Sequence, residues 1–91
     1  MTESLEILRK KLRFRAWHRG TKESDLMMGG FADAHLEELG AEDLADFSAL
    51  LDEQDLDVYG WVIGRDPVPE GHRTRVMSML QAFDFTVEGL R

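Results

Sequence analysis

The chain contains no cysteine, which removes disulfide staples, thiolate nucleophiles and Cys-based zinc sites together, so its stability has to come from packing. That absence fits a reducing compartment. Long apolar runs are missing too: Leu26 to Met28 and Trp61 to Ile63 fall far short of the ~20 residues that a membrane-spanning helix needs. The start, MTESLEILRK, puts Glu3 and Glu6 ahead of the first arginine, which is wrong for a secretory signal or an Arg-rich, acid-poor transit peptide. The expected location is the cytoplasm, without membrane insertion. There is no internal repeat, low-complexity tract or linker, and 91 residues allow one modest core but not a core plus a deep cleft. The expected organisation is a single helical domain over 1–91, and an enzyme is disfavoured.

Motifs of catalysis are equally scarce. The glycines form neither GxGxxG nor GxxxxGK[ST], and no strand precedes them. Serines 4, 24, 48 and 78 have no nucleophile-elbow context. His18, His35 and His72 stand far apart and outside HExxH spacing. No catalytic residue and no metal site is expected.

What the chain does have is charge, unevenly placed. Residues 1–22 carry seven Lys or Arg against two acids, whereas residues 23–91 carry four against sixteen, for a net charge of -7. A basic end suggests an anionic partner surface or nucleic acid, while the acidic remainder discourages non-specific polyanion binding. The bland alternative is that these cations coat the wet side of one helix.

Helical periodicity dominates. Leu5, Leu8, Leu12 and Ala16 with Arg9, Lys10 and Arg13 between them predict an amphipathic helix over about 3–17, with its acids early and its cations late as the helix dipole favours. Gly20 interrupts the pattern and Thr21 or Ser24 caps a second helix over about 22–38, offering Leu26, Met27, Phe31 and Ala34, with Met28 and His35 as further candidates, to a core. A third helix starts near Glu42 and Asp43 and buries Leu44, Phe47, Leu50 and Leu51. Asp55 is expected to cap a short fourth carrying Leu56, Val58, Tyr59, Trp61, Val62 and Ile63, stopped by Gly64 and by Pro67 and Pro69. A fifth over about 70–83 offers Val76, Met79, Leu80 and Phe83. Five short helices with tight connections predict an all-α fold, a compact five-helix bundle.

The corner RGTKE is where composition stops being informative. A basic helix, Trp17 and a helix-turn-helix-like bend could touch nucleic acid, yet the second helix opens with Glu23 and Asp25 and continues to Asp33, acids where recognition residues belong. A nucleic-acid-binding or antitoxin-like regulatory module is therefore the alternative reading. Ordinary amphipathic-helix chemistry does not explain why Trp17, Arg19, Gly20 and Glu23 sit together.

RAWHRGTKESDLMMGGFADAHL, then AEDLADFSALLDEQDLDVYGWVIG and PVPEGHRTRVMSMLQAF, closely resembles the SdhE family of succinate dehydrogenase assembly factors over about residues 5–83, leaving a short C-terminal tail 84–91. The hallmark RGxxE falls on Arg19, Gly20 and Glu23; Asp25-Leu26 and the tryptophan-bearing fourth helix match as well. Ser24 and the Gly29-Gly30 pair depart from the pattern without touching RGxxE. The resemblance implies a helical assembly factor that binds the flavoprotein subunit of succinate dehydrogenase, or of fumarate reductase, and promotes covalent attachment of FAD to a client histidine. FAD would then belong to the client, with none held stably by this chain. Arg19, Gly20 and Glu23 would form the client contact, with Trp17, His18, Lys22 and Asp25 as weaker candidates. Each has a structural counterpart: Arg19 pairing an acid of its own fold, Gly20 only ending a helix, Glu23 only favouring a helix N-terminus, Trp17 packing in the core.

Overall fold

A computed structural model describes residues 4–83. The all-α expectation holds: among the described residues there are five α-helices, two 3-10 turns and no strand. The tail 84–91 and Glu3 lie outside the described residues. The chain divides into two units, one running to Glu38 and the other spanning Leu39–Phe83.

In the first unit, α1 (Leu5–Trp17) begins where the Ser4 hydroxyl accepts the Ile7 N–H at 3.2 Å, relieving one of the unpaired amides of a helix start. α2 (Lys22–His35) begins the same way, with Thr21 Oγ1 accepting from the Ser24 N–H at 3.2 Å, so Thr21 rather than Ser24 is the cap. The two helices run antiparallel. Arg9 Nε donates to the Leu36 carbonyl at 3.1 Å, Arg13 pairs with Asp33 and Glu37, and Trp17 Nε1 donates to Asp33 Oδ2 at 3.2 Å, so ascending positions of α1 meet descending positions of α2.

Leu12 and Ala16 of α1 and Met27, Met28, Phe31 and Ala32 of α2 are buried. Leu5 is exposed and Leu8 half-buried, and Ala34 is exposed where the periodicity had placed it inside. The reason is angular. At about 100° per residue, the buried positions of α2 fill an arc with Met27 at one edge and Gly29 at the other, and Ala34 falls about 20° outside the Met27 edge. α2 ends at His35, three residues early, in a 3-10 turn, Leu36–Glu38, whose Leu36 is buried.

In the second unit, α3 (Ala41–Leu51) buries Leu44, Phe47, Leu50 and Leu51 as expected. α4 (Asp55–Val62) is capped at Gln54, so Asp55 is the first helical residue, not the cap. Val58, Trp61 and Val62 are its buried face, at i, i+3 and i+4; Leu56 is 75% exposed and Ile63 46%, both lying off that stripe. Gly64, at φ +84°, ends α4 in the left-handed conformation.

The fifth helix is shorter than its periodicity. Residues 70–72 form a 3-10 turn, and α5 (Arg75–Ala82) starts only after Thr74, whose extended backbone and Oγ1, accepting from the Met77 N–H at 3.1 Å, mark the true N-terminus. Val76, Met77 and Leu80 are buried, while Met79 and Phe83 are half-buried. Polar ties fasten this unit: His72 Nε2 donates to Glu53 Oε2 at 2.8 Å, Gln81 Nε2 donates to the Trp61 carbonyl at 3.1 Å, and Arg75 pairs with Asp43.

Candidate functional site

The candidate site is the corner between α1 and α2. α1 stops at Trp17 because the His18 backbone leaves the helical region (φ -125°, ψ 52°), while its N–H still reaches the Arg15 carbonyl at 3.2 Å. Gly20 then takes φ +115°, a value beyond the left-handed helical range open to other residues. Thr21 returns to extended backbone and caps α2. The chain thus reverses within four residues.

One bond closes the turn. The Arg19 N–H donates to Asp25 Oδ1 at 2.7 Å, across six residues, while the Asp25 N–H donates to the Thr21 carbonyl at 2.9 Å as the first turn of α2. Asp25 therefore faces back into the corner. Glu23, two residues earlier, is exposed, and Arg19 is half-exposed.

Beside the turn is an open depression of about 600 Å³ lined by Trp17, His18, Gly20, Thr21, Lys22, Asp25 and Leu26. Five of the seven sequence candidates line it: Trp17, His18, Gly20, Lys22 and Asp25. Arg19 and Glu23 are outside its lining and flank it along the chain. Its lining joins apolar Trp17 and Leu26 to charged Lys22 and Asp25.

Trp17 closes one side of this corner against α2. A Cβ built on Gly29 would fall within 2.6 Å of the indole Cγ, Cδ2 and Cε2, so the indole occupies the space that any larger residue at 29 would claim. Its N–H donates to Asp33, whose other oxygen meets Arg13 Nε at 3.3 Å. His18, on the outer side, donates from Nδ1 to the Phe14 carbonyl at 2.6 Å and stacks on the Phe14 ring with centroids 4.0 Å apart.

The basic helix divides its cations by role. Arg9 and Arg13 hold α1 to α2 and the following turn. Lys10, Lys11 and Arg15 surround the 64% exposed Phe14 on the outer face. Sequence reasoning missed both the Asp25 tie and the Trp17–Gly29 contact. The spacing Thr21-x-x-Ser24-Asp25 was the available signal for the first; the departure Gly29-Gly30 was the signal for the second.

Among the described residues, no group of three or more His, Asp or Glu side chains could hold a metal ion, and no helix is long and apolar enough to cross a membrane. The family model described as a flavinator of succinate dehydrogenase matches residues 10–84, most of the chain and all of the corner. The chain belongs to this family.

Its relatives bear out the assignment. A protein of Acetobacter pasteurianus named FAD assembly factor SdhE is 39% identical over 75 residues, covering 82% of this chain and 69% of the relative. Two proteins named succinate dehydrogenase assembly factor 2, mitochondrial, are similar as well. That of Dictyostelium discoideum is 36% identical over 77 residues, covering 85% of this chain and 55% of its own. That of Candida glabrata is 37% identical over 87 residues, covering 91% and 57%. The chain therefore spans little more than half the length of these mitochondrial members of the family.

Proposed function

We propose that this protein is an assembly factor that binds the flavoprotein subunit of succinate dehydrogenase, or of the related fumarate reductase, and promotes covalent attachment of FAD within that client. Family membership supports the process, and the α1–α2 corner supports the place. The observation that carries the reading is the turn itself: at Gly20, φ +115° reverses the chain between Arg19 and Glu23, so two opposite charges are presented from one short segment.

In this reading the corner positions a client and exchanges no atoms with it. Arg19 offers a planar, multi-donor guanidinium to a client carboxylate or a flavin-associated anion. Glu23, exposed in the first turn of α2, meets a client cation or hydrogen-bond donor. Gly20 allows close backbone approach: a Cβ there would have no protein atom within 4 Å, so the corner is open on that side. FAD and the histidine that receives it belong to the client. Holding them in one conformation lets proximity and oriented charge favour a largely self-catalysed reaction.

The test is in-gel flavin fluorescence of the client, isolated from cells producing Glu23→Ala or Gly20→Arg in place of the wild-type chain. Losing one partner of a desolvated charge pair costs about 2 kcal/mol or more, roughly thirtyfold in affinity, so client fluorescence falls sharply while the far-UV helical signal of each variant persists. Wild-type client fluorescence with both variants would remove the site assignment.

A further inference from the structure

We propose that Asp25 is a positioning residue, whose carboxylate holds the Arg19 backbone and thereby sets how Arg19 and Glu23 are presented together. The inference rests on the assembly-factor reading for its functional consequence, but not for its geometry. Arg19 follows the end of α1 and precedes the one residue of the corner with positive φ. Its N–H lies past the end of α1, where the His18 N–H already reaches the Arg15 carbonyl. Asp25 Oδ1 supplies the acceptor at 2.7 Å, the short distance of a charge-assisted bond.

Asp25 is in turn fixed by α2. Its own N–H donates to the Thr21 carbonyl at 2.9 Å, and Thr21 Oγ1 accepts the Ser24 N–H at 3.2 Å. The carboxylate thus ties a helix-anchored residue to the loop in front of it, enclosing residues 20–24, Gly20 and Glu23 among them, within one hydrogen-bonded ring. Without the tie, Gly20 is the most permissive hinge in the segment, and the Arg19 backbone is freer to turn relative to the start of α2, where Glu23 lies. The half-buried Asp25 acts on the client through Arg19 instead of touching it.

Two substitutions separate this role from a direct contact. Asp25→Asn and Asp25→Ala both remove the negative charge near the α2 N-terminus, so any loss from the helix dipole is common to them. Only Asn keeps an oxygen where the Arg19 N–H can reach it. In the isolated chain, amide hydrogen exchange at Arg19 accelerates about tenfold or more in Asp25→Ala and stays within about threefold of wild type in Asp25→Asn, since an intact hydrogen bond protects the amide. Covalent flavin in the client follows the same order, lowered by Ala and retained with Asn.

Unchanged Arg19 exchange in Asp25→Ala would overturn the tie. Equal loss of client flavin in both variants, with exchange accelerated in Ala alone, would overturn the positioning role and make Asp25 a charged contact. Failure of the assembly-factor reading looks different: Arg19→Ala and Glu23→Ala would then leave client flavin unchanged, whatever the Arg19 amide does.

Discussion

Gly29→Ala is predicted to destabilise the protein, against what its helix alone would prefer. Gly29 lies inside α2, where alanine is favoured over glycine by about 1 kcal/mol. A Cβ at 29, however, would sit within 2.6 Å of three indole atoms of Trp17, against an ordinary carbon–carbon separation of ~3.5–4.0 Å. The obstruction is the inner edge of a rigid ring, close to its own Cβ, so the whole indole has to move by about an ångström. That movement strains the Trp17 Nε1 bond to Asp33 at 3.2 Å, worth about 1 kcal/mol, and overpacking itself costs about 1–3 kcal/mol. The clash and the weakened bond together exceed the propensity gain, leaving a net loss of about 1–3 kcal/mol, or roughly 4–8 °C in Tm for each kcal/mol in a chain of this size. Urea unfolding followed by far-UV circular dichroism measures it. In a Trp17→Ala background the obstruction is gone and the sign inverts, Gly29→Ala becoming stabilising by up to about 1 kcal/mol. A Gly29→Ala chain as stable as wild type or more so, with Trp17 intact, would refute the packing argument.

Gly20→Ala meets no atom within 4 Å yet keeps φ +115°, so its cost is backbone strain alone, about 1–3 kcal/mol by chemical denaturation. Thr74→Ala removes the acceptor of the Met77 N–H and lowers stability by about 1 kcal/mol, with Thr74→Ser close to wild type. Leu80→Ala, at a fully buried position, costs about 2–5 kcal/mol, whereas Leu56→Ser, at 75% exposure, stays within about 0.5 kcal/mol; comparable losses at both would contradict the assignment of the α4 faces.

The helices were legible because short-range chemistry writes them. Periodicity located all five, and the buried sets Leu44, Phe47, Leu50 and Leu51 of α3 and Val58, Trp61 and Val62 of α4 fall on the expected stripes. Termini were less legible. Thr21 and Ser24 compete as the cap of α2, as Thr74 competes with Glu70 as the start of α5, and only the extended Thr21 and Thr74 backbones and their bonds to Ser24 and Met77 decide the matter. Exposure of Ala34, Leu56 and Ile63 was not legible, since an apolar residue near the edge of a stripe faces inward or outward by a rotation that local pattern leaves open.

At the corner the division is sharper. The residues Arg19, Gly20 and Glu23, and the likeness of the surrounding stretch to a family, are properties of the chain order, and that likeness is what proposes these three as the client contact. That Asp25 turns back to bind the Arg19 amide, and that Gly29 is empty so that Trp17 can lie against α2, depends on distances between residues separated by six and by twelve positions. A linear pattern records which groups a chain carries, and in a helix which of them share a face. Folding decides which donor reaches which acceptor and which void a ring fills, because those depend on how two segments are brought together.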